Sequence, residues 1–342
     1  MNKNGTVSAQ SPLHEIASRF SASMIAMRHF AEHLGPLADQ HDAQSSKENL
    51  LECFQRMGLK PPPALLGESG ALNVEIRLTQ SGEDGLVVPS NDSAHRTMVP
   101  ADRFYSAMNG LRRRLTSHGV ILRTSGLIQT VCMLDALVAD LLRAYYTMRP
   151  GALDGDEGRI SFRDLNELGS IDTARELILE QRIDALLRGS ILNQLEFFTK
   201  SLKVNLKYLN EWLARLNETV QRRHLWVHNS GRVSKLYMAR VSPELLAEVG
   251  AKEGETLKVD QVYLRRAIDR VNLAGVVLAQ QCWRHWVPSE KAQADASLNE
   301  AIFDTVCDSR FVAAQFLGKF ACEVVESSDM AKRTRFLTMP KD

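Results

Sequence analysis

The decapeptide RRHLWVHNSG, residues 222–231, places two arginines and two histidines around three large apolar residues, and it ends in a turn-forming Asn-Ser-Gly. Histidine can accept or donate a proton near neutral pH because its unperturbed pKa is about 6.5. Arginine stays charged and presents a planar set of donors that matches phosphate oxygens. Residues of these types, so close together, could hold and cut a phosphodiester.

The same residues also suit the end of a helix. Cations near a helix C-terminus interact favourably with the helix dipole, and a glycine often caps the last turn. Arg222, Arg223 and His228 would then be ordinary helix-end residues, capped by Gly231. Residue type alone leaves both interpretations open.

The interval from arginine to histidine does not decide between them either. It occurs three times, at 223–228, at 28–33 and at 113–118. The segment RHFAEH at 28–33 has no turn after it and is interpreted as ordinary helix surface. In the segment at 113–118 the arginine is followed by another arginine, Arg114, and not by a histidine as in the other two. The surroundings single out 223–228.

Helix geometry limits what this segment can do by itself. Successive residues turn by about 100°, so Arg223 and His228 lie roughly 140° apart around the axis. His224 and His228 are one turn apart and share a face. A site that uses both Arg223 and His228 therefore needs an unwound helix end or a residue from a second subunit.

The rest of the sequence predicts a mainly helical protein. Apolar residues recur at helical spacing in most of the chain, and alternation around a polar turn predicts one small β-hairpin. The predicted helices cover about 13–34 (stopped by Gly35), 47–57, 127–148, 173–188, 202–220, 259–286 and one or two helices within 298–328; the hairpin covers 72–88.

Four segments follow from this pattern. Residues 1–60 are predicted as N-terminal helices, and residues 61–117 as a small α+β region with the hairpin and a connecting helix, with a loop-like boundary at 89–102. Residues 118–287 are predicted as an antiparallel helical bundle, because seams of this spacing joined by modest loops favour one. Residues 288–342 are predicted as a C-terminal helical extension.

Composition predicts a soluble, cytoplasmic protein. The 342 residues carry a formal charge of +1, so any contact with nucleic acid has to be local. The five cysteines are scattered and form no CxxC pair, which argues against a disulfide framework or a cysteine zinc site. No signal peptide and no membrane span are expected.

The stretch RRHLWVHNSGRVSKLYM resembles the signature of the HEPN superfamily, a set of helical-bundle proteins that includes many RNases. The family pattern is an arginine, a following Asn, Asp or His, and a histidine about five positions on, which are Arg223, His224 and His228 here. The upstream stretch SGLIQTVCMLDALVADLLRAYYTMRP resembles the family's first long helix, and Asp135 matches its acidic residue. The resemblance covers about residues 120–287.

The resemblance implies a metal-independent endoribonuclease, with no cofactor and no metal, that acts in phage defence or a toxin system. Its site would lie at the interface of a homodimer or higher even oligomer, with a protein partner or antitoxin left open. His228 is then the main acid/base residue, Arg223 stabilises the scissile phosphate, and His224 orients or assists. The expected product ends are a 2′,3′-cyclic phosphate and a 5′-hydroxyl.

Further residues are assigned supporting roles. Arg222, Asn229 and Asp135 are expected to support the site. Three lysines, spaced to share one helical stripe, are predicted to track an RNA backbone, although such a stripe is also typical of a solvated face: Lys200, Lys203 and Lys207.

Two alternatives remain. His224 and His228 are spaced to share a zinc ion, but the sequence offers neither the glutamate of an HExxH motif nor an evident third ligand. The chain could instead be a non-catalytic HEPN-like module that binds RNA or protein or acts as a scaffold. In addition, Ser230 stands where some HEPN toxins carry a tyrosine that a partner enzyme modifies, which puts that mode of neutralisation in doubt.

Overall fold

The structure is a computed structural model that describes residues 11–58, 60, 79–81, 85–89, 96–114, 117–153 and 161–325. Helices dominate this part of the chain. They are α1 (Pro12–Arg56), α2 (Ala101–Arg114), α3 (His118–Met148), α4 (Phe162–Leu168), α5 (Ile171–Leu187), α6 (Ile191–Lys200), α7 (Asn210–Asn229), α8 (Lys235–Arg240), α9 (Pro243–Glu248), α10 (Gln261–Trp286), α11 (Lys291–Cys307) and α12 (Phe311–Val324). Short 3₁₀ turns cover Pro150–Leu153, Lys207–Leu209 and Pro288–Glu290.

Three short strands, β1 (Thr79–Ser81), β2 (Gly85–Pro89) and β3 (Arg96–Pro100), form an antiparallel sheet in the order β1-β2-β3. Thr79 is paired with Val87, and Val87 with Met98. The first strand of the predicted hairpin, at 72–78, lies outside the described residues. The predicted boundary at 89–102 is not a loop throughout, because β3 and the start of α2 fall within it.

Two compact units make up the chain: Met1–Ala31 with Thr124–Asp342, and Glu32–Arg123. This division differs from the four segments predicted from the sequence. The first turns of α1 and the C-terminal helices share one hydrophobic core with the bundle, because Phe20, Leu298 and Leu317 are buried in the same cluster as the bundle helices. Burial of those apolar faces, rather than linker composition, sets the division.

Helix α10 is the central helix of the first unit. Almost every residue from 267 to 284 is buried, including Trp283, and the helix packs against α7, α11 and α12. A helix that is buried on nearly all sides lies in the middle of a bundle. Its predicted bounds of 259–286 are confirmed to within two residues, and those of 173–188 match α5 equally well.

Helix α1 corrects a predicted stop. The helix continues through Gly35 and Pro36 to Arg56, so the two predicted helices at 13–34 and 47–57 are one. A Gly-Pro pair usually ends a helix. Here the turn of α1 before Gly35 is held by another helix. Gln261 Nε2, at the start of α10, donates to the carbonyl oxygen of Ala31 at 2.6 Å.

Arg28 corrects the interpretation of RHFAEH as ordinary helix surface. Its side chain is only 3% exposed and its Nη1 lies 3.0 Å from Asp308 Oδ2. Burial lowers the pKa of Arg28. The arginine therefore pairs with Asp308 inside the first unit, while His29 and His33 on the same turns are exposed.

The predicted seam at 202–220 also needs correction. Helix α6 ends at Lys200, and α7 starts only at Asn210. Lys203 adopts a left-handed φ of 59°, which breaks the helix without a glycine or proline. Leu202, Val204 and Leu206 are buried in alternation, as in an extended segment that lies on the core.

Helix α3 corrects the expectation that no segment has the length and hydropathy of a membrane span. It is the one helix of the described residues that does, with a mean hydropathy of 1.5 over its most apolar stretch. However, 56% of that stretch is buried inside the protein. The core helix of a soluble protein has the same length and composition.

Candidate functional site

Helix α7 carries the motif residues and keeps its regular form through Asn229. It ends because Ser230 and Gly231 both take the left-handed conformation, with φ of 50° and 77°. The backbone N–H groups of both residues donate to the carbonyl oxygen of Leu225. The predicted cap at Gly231 is thus present, and the helix end is not unwound.

The turn after α7 is held firmly by the loop at 252–258. A Cβ on Gly231 would lie 2.7 Å from Trp226 Cε2, so only glycine lets the turn pass over the indole. Trp226 Nε1 donates to the carbonyl oxygen of Leu257 at 3.2 Å. The backbone N–H of Leu257 in turn donates to the carbonyl oxygen of Gly231 at 3.0 Å. The motif therefore sits on a rigid support.

His224 and His228 lie on one face of α7. Their ring centroids are 6.1 Å apart and their planes differ by 16°, so the rings are stacked. His228 is exposed and His224 is half-buried. This is the shared face that the one-turn spacing predicts.

Burial and three neighbouring side chains affect the pKa of His224. Burial lowers the pKa of His224, and the charges of Arg223, His228 and Arg240 lower it further. Arg240 ends α8 and was not among the residues predicted from the sequence. These effects favour the neutral ring, which can accept a proton or a hydrogen bond at pH 7.

Arg223 leans toward α3. Its Nη2 lies 3.8 Å from Asp135 Oδ2 and 3.7 Å from Cys132 Sγ. Burial raises the pKa of Asp135, while the charge of Arg223 and a hydrogen bond from Gln194 oppose that rise. The structure therefore brings together Arg223 and Asp135, the acidic residue singled out from the sequence, and adds Cys132, which was not.

Arg222, predicted as a supporting residue, does not face solvent. Its side chain is 5% exposed, and Nε donates to Glu218 Oε1 at 2.7 Å. Its guanidinium carbon lies 3.8 Å from the centroid of the Tyr263 ring. Arg222 belongs to the framework beneath the motif.

Glu218 is the centre of that framework, and sequence analysis missed it. The hydroxyls of Tyr237 and Tyr263 donate to its two carboxylate oxygens at 2.9 and 2.8 Å. Arg270 Nη1 lies 3.6 Å from Oε2. Burial and the charge of Glu218 raise the pKa of both tyrosines. A glutamate one turn before Arg222 was the available signal, because that spacing favours an ion pair.

Asn229 supports the turn rather than a ligand. Its side-chain Nδ2 donates to the backbone carbonyl oxygen of Arg232 at 2.6 Å. Its backbone carbonyl oxygen accepts from the backbone N–H of Arg232 at 2.9 Å. The side chain is nevertheless exposed. It helps to fix the direction in which the chain leaves α7.

The three lysines do not form a helical stripe, which corrects the prediction. Lys200 ends α6 and forms an ion pair with Glu196. Lys203 lies in the left-handed break, and Lys207 begins a 3₁₀ turn with its Nζ 5.0 Å from the Tyr208 ring centroid. All three are exposed.

The zinc alternative gains no ligand at the motif. Within the described part of the chain, one cluster has three side chains of ligand type close enough to share an ion, and it is His41, Asp42 and His118. It includes neither His224 nor His228. A protein zinc site takes at least three protein ligands, so the two stacked histidines do not complete one.

Comparison of the chain with family models, with curated proteins and with solved structures gives no match. The geometry at the end of α7 is thus the basis for any function proposed.

Proposed function

We propose that this protein is a metal-independent endoribonuclease of the HEPN type, and that two copies complete its active site. One observation carries the proposal: two stacked imidazoles lie at the end of a bundle helix, one of them exposed, beside an arginine whose Nη2 lies 3.8 Å from an acidic residue of another helix. Bundle, motif and acidic residue are the three parts that the HEPN resemblance calls for.

The chemistry needs only these side chains and the RNA. The 2′-oxygen attacks phosphorus, its proton passes to an imidazole, and the bond from phosphorus to the 5′-oxygen breaks. A proton is returned to the leaving 5′-oxygen, which gives a 2′,3′-cyclic phosphate and a 5′-hydroxyl. His228 is the main acid/base residue because it is exposed, and His224, kept neutral, orients or assists. Arg223 stabilises the charge that builds on the phosphate.

A second copy is needed because of where Arg223 points. Within one chain its guanidinium lies against Asp135 and Cys132 of α3, whereas His228 is exposed at the end of α7. The helix remains regular, so the angle of roughly 140° between the two residues stands. A two-fold pairing of the α7 ends would bring Arg223 of one copy to His228 of the other. We therefore propose a homodimer or a higher even oligomer.

The setting that accords with this chemistry is conditional RNA degradation in the cytoplasm, in phage defence or in a toxin system. A protein partner or antitoxin would then control the site. Tyrosine modification two places after the motif histidine is not available to such a partner here, because that residue is Ser230.

The test is RNA cleavage in the presence of excess EDTA. Wild-type protein and His228→Ala are incubated with total RNA and with a short labelled RNA, and the product ends are identified. His33→Ala is the matched control, since His33 is exposed and also follows an arginine by five residues. We expect cleavage by wild type and His33→Ala, and a loss of about 100-fold or more in His228→Ala. Equal cleavage by His228→Ala, or none by wild type, would contradict the proposal.

A second function is favoured by the same contact that holds Arg223. An arginine bound to Asp135 and Cys132 also serves as a structural tie between α7 and α3, as in a non-catalytic HEPN-like module that binds RNA or protein. Cell growth on expression separates the two. Growth inhibition that is relieved by Arg223→Ala supports the RNase. RNA binding with no cleavage and no inhibition supports the module.

A further inference from the structure

The second unit contains a cluster of two histidines and an aspartate that plays no part in the proposed RNA chemistry. His41 and Asp42 are neighbours on α1, and His118 begins α3. One ligand atom of each, an imidazole nitrogen or a carboxylate oxygen, lies within 4.8 Å of the other two. The two imidazoles meet edge to face, with centroids 4.6 Å apart.

Asp42 is tightly oriented by the N-terminus of α3. Its Oδ2 accepts from Ser117 Oγ at 2.8 Å and from the N–H of Gly119 at 2.7 Å, and its Oδ1 accepts from the N–H of His118 at 2.8 Å. A carboxylate has about four lone-pair sites, so these three bonds leave one. A ligand fixed in this way by surrounding donors is preorganised.

The remaining lone pair of Asp42 points at an imidazole. Asp42 Oδ1 and His118 Nδ1 are 2.8 Å apart. An aspartate carboxylate is ordinarily charged at neutral pH, so this oxygen can bind a cation in place of the imidazole.

The geometry allows a metal ion to replace the proton between Asp42 Oδ1 and His118 Nδ1. Zinc binds nitrogen and oxygen at about 2.1 Å, so two ligands of one tetrahedral ion are about 3.4 Å apart. A small outward rotation of His118 from its present 2.8 Å opens that spacing. Both histidines are exposed, so neither ring is locked by packing.

The neighbouring charges do not oppose a cation. Arg123 lies one turn beyond Gly119 on α3, and its Nη1 forms an ion pair with Asp39 Oδ1 at 2.6 Å. Asp39 lies one turn before the cluster on α1. Its carboxylate offsets the charge of Arg123 and keeps the surroundings of Asp42 favourable to a divalent ion.

We propose that His41, Asp42 and His118 form a binding site for a first-row divalent transition cation of the zinc type, which clamps α1 to the start of α3 within the second unit. Two imidazoles and a carboxylate favour such ions over Mg²⁺, which prefers oxygen ligands only. Asp42 and His118 are 76 positions apart in the sequence. Closing a loop of that length by one ion restrains much of the unit.

The experiment uses the full chain, stripped of metal and then titrated with Zn²⁺ against a chromophoric chelator. Thermal unfolding is recorded with Zn²⁺ and with Mg²⁺. The ligand variants are His41→Ala and His118→Ala, and His33→Ala on the same helix is the matched control. The double variant His224→Ala/His228→Ala removes the other pair of histidines one turn apart.

We expect one tightly bound Zn²⁺ per chain, and a rise in Tm with Zn²⁺ but not with Mg²⁺. His41→Ala and His118→Ala should each weaken binding at least tenfold and abolish the rise in Tm, while His33→Ala and the double variant retain both. If wild type binds no stoichiometric Zn²⁺, or if the double variant loses it while His41→Ala keeps it, the proposal is wrong. Circular dichroism of the metal-free variants is recorded to check that they remain folded.

Discussion

The imidazole of His224 stacks on that of His228, with 6.1 Å between ring centroids and 16° between planes. The two rings are chemically alike but differ in surroundings. His224 is half-buried among cations, whereas His228 faces solvent. Two histidines in unlike environments can take unlike roles in proton transfer.

We predict that His224 titrates below the ordinary histidine value of about 6.5. Burial lowers its pKa first, and the charges of Arg223, His228 and Arg240 add to the effect. The ring resonances of His224, followed by NMR from pH 4 to 9, should have a midpoint below that of an unfolded peptide with the same sequence. Arg240→Gln, which removes one of the cations, should move the midpoint upward. A midpoint above 6.5 would contradict the prediction that burial and the neighbouring charges lower the pKa of His224.

The same shift predicts a pH dependence of stability. The folded pKa lies below the unfolded one, so the unfolded chain binds more protons as the pH falls through about 6.5. The contribution of His224 to the free energy of unfolding is therefore intact above that pH and declines below it. Urea unfolding should show that the free energy of unfolding falls less between pH 7.5 and pH 5.5 for His224→Gln than for wild type. An unchanged or larger loss in that variant contradicts the assignment.

A third prediction concerns the buried charges beneath the motif. Glu218→Gln would leave Arg222 and Arg270 buried without their carboxylate. Removing one partner of a buried ion pair costs about 3 kcal/mol or more, because the remaining charge is uncompensated. Equilibrium urea unfolding measures the effect. Glu211→Gln, exposed on the same helix, is the control and should change the free energy of unfolding by less than about 0.5 kcal/mol.

A fourth prediction concerns the contact of Phe20 with α10. A Cβ on Gly275 would lie 2.1 Å from Phe20 Cζ, and a buried ring in a packed core has little room to withdraw. Gly275→Ala should lower the free energy of unfolding by about 2 kcal/mol, even though alanine favours helix. Gly126→Ala on α3 is the matched control, because its Cβ would lie 3.2 Å from the flexible end of Leu264. We expect it within about 1 kcal/mol of wild type. Equal effects of both variants would contradict this packing.

The fold could be predicted where periodicity and burial agree. Helices α5 and α10 begin and end within two residues of their predicted bounds, because an uninterrupted apolar pattern covers each of them. The failures have tertiary causes. Nothing local at Gly35 and Pro36 signals that Gln261 holds the preceding turn. Likewise, Lys203 adopts a left-handed backbone where the sequence has neither glycine nor proline.

The motif residues of the candidate site could be predicted from the sequence, but the buried residues around Glu218 that support them could not. Arg223, His224 and His228 lie at a helix end, as expected, and Asp135 reaches Arg223. Arg222 could not be told apart from Arg223 by sequence, because adjacent residues on a helix differ only in the face they occupy. The structure distinguishes the two arginines, because Arg222 is buried against Glu218.

The central claim is that Arg223 of one copy and His228 of another act on the same phosphate, and a mixing experiment tests it most directly. Arg223→Ala and His228→Ala proteins are each assayed for RNA cleavage in excess EDTA, then unfolded together in equal amounts, refolded and assayed again. Each variant alone should be inactive. Half of the refolded dimers combine both variants, and one of their two composite sites is intact, so we predict about a quarter of wild-type activity. No recovery, when wild type treated in the same way regains its cleavage, would contradict the shared site.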